Sequence, residues 1–168
     1  VLREWLKKEK DFNIMPLNQR NIDVKHPTYD LIKKHYGKEN IDFTFAVIRN
    51  PYARAQSLYK HLNRVSEDFK KNKISFEDFI FDKDQYENTA LKPQSTWFGK
   101  KDNVHTIRFE NLNDEFKYIK KMLNRKDGLR RKNASNKPRH DRVEYTSEMK
   151  KFLYNKTKED FIRFGYEK

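Results

Sequence analysis

Apolar positions along the chain fall into short stretches with two different spacings. In "DFTFAVIRN", residues 42–50, Phe43, Phe45, Ala46, Val47 and Ile48 make a nearly continuous apolar run. Runs of this kind belong to strands covered on both faces. Asn50 and Pro51 follow, a capping residue and then a proline at the first helical position. Ala55, Leu58, Leu62 and Val65 recur at helical spacing, which predicts a helix from Pro51 to about Lys71.

The same reading extends to the rest of the chain. Residues 1–10 read as a helix with Leu2, Trp5 and Leu6 on one face. No capping residue precedes them, so a segment ahead of Val1 is expected. Residues 11–25 contain Pro16 and read as irregular, with room for a short strand. "HPTYDLIKKHYG" predicts a short helix with Thr28 as N-cap and Gly37 as stop. "SFEDFIF" predicts another, with Ser75 capping and Asp78 three residues on. "NVHTIRF" is a second short strand, expected to run parallel to the first. "ENLNDEFKYIKKML" is a helix with Leu112, Phe116, Ile119 and Leu123 on one face. Residues 124–144 are basic and turn-rich, a long loop of the kind that often carries function. The last helix is capped at Thr146 and stops near Gly165. Strands alternating with helices predict a single α/β domain over residues 1–168. Two convincing strands are few for a parallel sheet, which again points to a strand ahead of Val1.

Charge changes this picture more than size does. The formal net charge is +13, a field that attracts nucleic acid, phosphorylated nucleotides, acidic glycans or anionic membranes without choosing among them. Much of it also fits a solvated surface. Cysteine is absent, which excludes disulfides, zinc–cysteine sites and thiol catalysis. No apolar run reaches transmembrane length and no signal-peptide pattern appears.

Candidate chemistry gathers where the best strand ends. In open α/β sheets, ligands bind beyond the carboxyl ends of the strands, and Arg49 sits there. The helix started by Asn50-Pro51 is expected to point free backbone N–H groups at an anion. Arg54 and Ser57, three residues apart, share a helical face. Arg49 and Ser57 can converge on one phosphate, with a guanidinium fork and a hydroxyl. The plainer reading makes Arg49 a surface residue, Arg54 the partner of a helix acid, and Ser57 a packing filler.

"FAVIRNPYARAQSLY" resembles the segment of sulfotransferases that binds the 3′-phosphate of 3′-phosphoadenosine 5′-phosphosulfate (PAPS). The likeness is to the carbohydrate-type, Golgi-like branch and its bacterial and viral relatives, with the pattern R-(N/D)-P-x-x-R-x-x-S-x-Y. Arg49, Asn50, Pro51, Arg54, Ser57 and Tyr59 match it. "KHPTYDLIKKHYG", "LKPQSTWF", "IRFENLNDEFKYI" and "NASNKPRHDRVEYTSEM" are similar to further family segments, so the likeness covers most of residues 25–166. It implies a three-layer P-loop-like sulfotransferase fold, with a short parallel sheet flanked by helices. It implies PAPS as cofactor and PAP, the desulfated nucleotide, as product. No metal is expected, and the acceptor is a hydroxyl, most readily of a saccharide. Arg49 and Ser57 would hold the 3′-phosphate, with Arg54, Asn133, Ser135 and Arg139 as further cofactor contacts. Gln94 and Trp97 would shape the acceptor pocket; a buried Trp97 fits packing equally.

The family's other signature, roughly P-K-(T/C)-(G/A)-(G/S)-T-S, is missing. Gly37, Gly99, Gly128 and Gly165 are the only glycines, and none sits beside a Lys-Thr or Thr-Ser pair. The first strand and phosphosulfate loop are therefore expected ahead of Val1, and the chain carries half of a cofactor site. Transfer needs a base for the acceptor proton. The candidates are His26, His35, His61, His105, His140 and Glu110. His26 is preferred, since relatives place a histidine near the active site in that segment; a capping or surface histidine fits as well. Glu110 also fits a structural role at a helix start. Two other classes stay open: a basic nucleic-acid-binding module, and a kinase-like nucleotide binder, for which no Walker lysine is visible. A cytoplasmic location suits a bacterial or viral source, and a Golgi lumen a eukaryotic one.

Overall fold

The computed structural model describes residues 28–37, 39, 43–87, 91–98, 104–122, 124, 126 and 143–168. The helix expected over residues 1–10, the irregular segment after it and nearly all of the 124–144 loop lie outside the described residues. So do His26, His140, Asn133, Ser135 and Arg139. The described part is mixed α/β and mostly helical, around a two-stranded parallel sheet.

Local capping decides most boundaries. Helix α1, Tyr29–Tyr36, starts where the Thr28 hydroxyl accepts from Leu31 N–H at 3.3 Å, and ends at Gly37 with φ +79°. Strand β1, Phe45–Ile48, passes through Arg49 and Asn50 into α2, Pro51–Val65. The predicted helix to Lys71 is two helices. Ser66 adopts an extended conformation, φ −92° and ψ 119°, and its side chain caps α3, Glu67–Lys71, at Phe69 N–H. A serine ahead of two acids is a stronger start signal than Val65 is a continuation signal; Val65 is half exposed, not part of the apolar stripe. A reciprocal Ser75–Asp78 capping box opens α4, Phe76–Phe81. A four-residue helix, α5, Asp84–Glu87, then leads toward a 3₁₀ turn, Gln94–Trp97; neither is predicted from the sequence. Strand β2, His105–Arg108, and a 3₁₀ turn at Phe109–Asn111 precede α6, Leu112–Met122. Helix α7, Ser147–Phe164, is capped by Thr146 and stopped by a left-handed Gly165.

The two strands pair in parallel with Phe45 opposite His105 and Ile48 opposite Arg108. Their carboxyl ends therefore lie side by side, and Arg49 and Phe109 leave the sheet at the same edge. Ile48 is buried, but Phe45, Ala46 and Val47 are half-buried. The expected two-sided cover is thus incomplete among the described residues, where β1 has one strand neighbour and Phe45 leans on Phe116 of α6. Ile107, Phe116 and Ile119 form the small core beneath the sheet.

The main core is helical and aromatic. Ala55 of α2 packs with Phe69, Phe76, Phe79 and Ile80 of α3 and α4, and with Met149, Leu153 and Phe161 of α7. Tyr59 sits among Phe69, Phe76 and Phe79, at ring separations of 6.0, 5.1 and 5.6 Å, and its hydroxyl donates to Ile74 O at 2.9 Å. Helix α7 bends at Thr157, where φ is −124° and the hydroxyl bonds back to Leu153 O at 2.7 Å.

After that bend α7 delivers Asp160 to the interior, fully buried. Its Oδ2 accepts from Gln94 N–H at 2.7 Å and from Gln94 Nε2 at 3.3 Å, and its Oδ1 accepts from Ser95 N–H at 2.8 Å. A buried carboxylate with three N–H donors is tolerated; the donors left without it are not. Asp160→Ala should therefore lower unfolding stability by about 2–5 kcal/mol, from two stranded backbone amides. A urea midpoint shifted down with an unchanged slope checks this, and an unshifted midpoint contradicts it.

Candidate functional site

Arg49 is the first residue past β1, and its main chain is fixed on both sides. Its N–H donates to Gln94 Oε1 at 2.9 Å and its carbonyl accepts from Gln94 Nε2 at 2.8 Å. The Gln94 amide thus continues the ladder of β1 by one step. Gln94 is buried, and its side chain is engaged by Arg49 and Asp160 rather than offered to an acceptor. Trp97, in the same turn, is half-buried.

With its main chain held, the Arg49 side chain reaches across the sheet edge. Its guanidinium carbon lies 4.6 Å from the centre of the Phe109 ring. Among the described residues the guanidinium forms no hydrogen bond and no ion pair; the described ion pairs are Lys33–Asp30, Lys70–Glu67 and Lys117–Asp114. Burial pushes the Arg49 pKa below the ordinary arginine value, and the charge of nearby Glu110 offsets part of that. A half-buried cation with open donors and incomplete neutralisation favours an incoming anion.

The start of α2 corrects one expectation. Its first amides are not free. Pro51 has no N–H, Asn50 Oδ1 accepts from Tyr52 N–H at 2.9 Å and Ala53 N–H at 3.3 Å, and Arg54 N–H donates to Asn50 O at 2.9 Å. Asn50 N–H itself donates to Glu110 Oε1 at 2.7 Å. A well-capped helix cannot also cradle a phosphate with the same groups, so an anion at this edge would have to be met by side chains.

Glu110 is exposed and has both oxygens engaged, since Oε2 accepts from the Tyr166 hydroxyl at 3.1 Å. It joins three distant parts of the chain: the end of β2, the start of α2 and the segment after α7. Arg108 secures the last of these. Its guanidinium donates to Phe164 O at 2.6 Å and to Gly165 O at 3.2 Å, and it stacks over Tyr166 at 4.9 Å.

Arg54 and Ser57 diverge in environment despite their spacing. Arg54 donates to Lys92 O at 2.8 Å; burial lowers its pKa, with Asp160 pulling the other way. It braces the segment that carries Gln94. Ser57 is exposed on α2. Elsewhere on α2, Val143 O accepts from Gln56 Nε2 at 2.7 Å, and the Tyr145 hydroxyl donates to Tyr52 O at 2.8 Å. Residues 143 and 145 thus lie against the face of α2 that carries Tyr52 and Gln56.

The remaining histidines lie elsewhere. His105 begins β2, roughly 13 Å along the strands from the Arg49 edge, and stacks with Tyr118 and Phe43. His61 shares a 3.3 Å contact with Arg64 far along α2, and His35 is exposed near the end of α1. Among the described residues no group of three or more His, Asp or Glu is placed to hold a metal ion, and no helix is long and apolar enough to cross a membrane.

The site thus brings together Arg49, Gln94 and Glu110, with Arg54 as a brace. Asp160 and Tyr166, which hold Gln94 and Glu110, also join this network and are not selected from the sequence. Asp160 carries a usable signal: it falls on the stripe of Met149, Leu153, Thr157 and Phe164, where an apolar residue is expected. Tyr166 carries none, because its partner is 56 residues away. Arg54→Ala should destabilise the fold by about 1–3 kcal/mol, through the loss of a charged donor to a main-chain acceptor. Thermal and urea unfolding check this; an unchanged midpoint with selective loss of anion binding would instead make Arg54 a ligand contact. In comparison with known proteins, no family model, no curated protein and no solved structure gives a significant match to the chain.

Proposed function

We propose that the chain is a PAPS-dependent sulfotransferase domain, acting on a hydroxyl group of a saccharide acceptor and built on a P-loop-like α/β fold. One observation carries the reading. Arg49, at the carboxyl edge of a parallel sheet, presents a half-buried guanidinium with no described hydrogen bond or ion pair, and the surrounding pattern Arg49-Asn50-Pro51…Arg54…Ser57…Tyr59 resembles the 3′-phosphate segment of that family.

The residues present fit the 3′-phosphate end of such a nucleotide. Arg49 supplies charge and planar donors, and Ser57, exposed on the following helix, supplies a hydroxyl. Phe109, 48% exposed, lies under the guanidinium and gives it a cation–π contact while leaving its N–H donors without a described partner. In the proposed reaction the acceptor oxygen bonds sulfur, the bridging S–O bond breaks toward the bisphosphate, and the hydroxyl proton passes to a base. Glu110, fully engaged, serves this edge as a cap and a fixed charge. His26 is proposed as the base.

Isothermal titration with PAP tests the reading. Wild-type protein should bind it, Arg49→Ala should weaken binding roughly 10- to 100-fold, and Ser57→Ala roughly 3- to 10-fold. Adenosine 5′-phosphate, which lacks the 3′-phosphate, should bind weakly and be indifferent to both substitutions. Equal PAP affinity in both variants overturns the assignment. Steeply salt-dependent binding of single- or double-stranded nucleic acid, with none of PAP, would establish the nucleic-acid alternative instead.

A further inference from the structure

The carboxylate of Glu110 is the natural competitor for Arg49. It immediately follows Phe109, on which the Arg49 guanidinium lies, and its charge acts on Arg49, yet the two form no ion pair among the described residues. The reason is visible in its partners. Oε1 is held by Asn50 N–H and Oε2 by the Tyr166 hydroxyl.

We infer that Tyr166 acts as a latch that keeps Arg49 open to its ligand by holding the Glu110 carboxylate away from it. This rests on the reading of Arg49 as an anion-binding residue. The latch is built by the last turn of α7. Gly165, in the left-handed region at φ +63°, reverses the chain, and Tyr166 N–H then bonds to Phe161 O at 3.1 Å. A side chain at Gly165 would meet Arg108 Nη2 at 3.3 Å, so the turn is matched to the arginine that grips it. Arg108 commits Nη2 to Phe164 O and Gly165 O, whereas the Arg49 guanidinium, on which the Glu110 charge already acts, has no described hydrogen bond to give up. The Tyr166 hydroxyl stays a donor at any ordinary pH: burial, then the charge and hydrogen bond of Glu110, push its pKa well above the usual phenol value.

The latch makes Tyr166 a positioning residue, and its effect must vanish when Glu110 carries no charge. PAP affinity by isothermal titration is compared in the wild type, Arg49→Ala, Tyr166→Phe, Glu110→Gln and the Tyr166→Phe/Glu110→Gln double variant. Circular dichroism melts check each fold; phenylalanine keeps the ring that stacks on Arg108. Tyr166→Phe should weaken binding about threefold to tenfold, as Glu110 swings onto Arg49. Glu110→Gln should bind at least as tightly as wild type, because its neutral side chain still caps Asn50 without neutralising Arg49. In that background Tyr166→Phe should change affinity by less than about twofold. If Tyr166→Phe has no effect while Arg49→Ala loses binding, the latch is wrong and the anion site stands. Equal losses in both backgrounds also overturn it, since the tyrosine would then act only on the fold. An Arg49→Ala variant that binds like wild type overturns the anion site and the latch together.

Discussion

The buried carboxylate of Asp160 organises the described fold. It satisfies the amides of Gln94 and Ser95 inside the protein, where water cannot replace it. Gln94, so fixed, closes two hydrogen bonds on the main chain of Arg49. A helix near the end of the chain thereby sets the exit direction of a strand more than a hundred residues earlier. The bend at Thr157 brings the acid to this place, and Arg54 braces the same segment through Lys92. If these contacts loosen, the arginine at the end of the strand loses the two bonds that fix its main chain.

That direction matters because the proposed anion site at this sheet edge is built from side chains. The first amides of α2 close on Asn50, so the helix contributes only its dipole. Orientation comes instead from the Phe109 ring and from a main chain pinned by Gln94. Pre-fixing a guanidinium lowers the ordering cost of binding, and partial burial strengthens each charge-assisted bond it can make. Glu110 moderates the same charge from nearby. It ties the end of β2 to the start of α2 and, through Tyr166, to the end of α7, so the local field depends on contacts made by three elements.

Much of this is legible in the sequence where the determining interaction is local. Thr28, Asn50, Ser75 and Thr146 read as caps, and Gly37 and Gly165 as stops, because each acts within one turn of its own position. The parallel pairing of two strands follows from their alternation with helices. The break at Ser66 is also local, but the apolar Val65 beside it masks the signal. What stays hidden is the long-range polar wiring: Asp160 to Gln94, Gln94 to Arg49, and Glu110 to both Asn50 and Tyr166. No periodicity encodes a hydrogen bond between residues 45 to 66 positions apart. The expectation of free amides at α2 fails for a reason the sequence contains: Asn50 is a cap, and a cap occupies the amides that an anion would need.

The proposed function rests on the Arg49 guanidinium being an open, oriented receptor for a phosphate. The most direct measurement is nuclear magnetic resonance of the arginine side-chain Nε–H signals, with Arg49 assigned through the Arg49→Lys variant, during titration with PAP. PAP should cause a large, saturable shift of the Arg49 signal that adenosine 5′-phosphate does not reproduce. An Arg49 signal that stays in place while the nucleotide binds, or that moves alike with any anion, would contradict it.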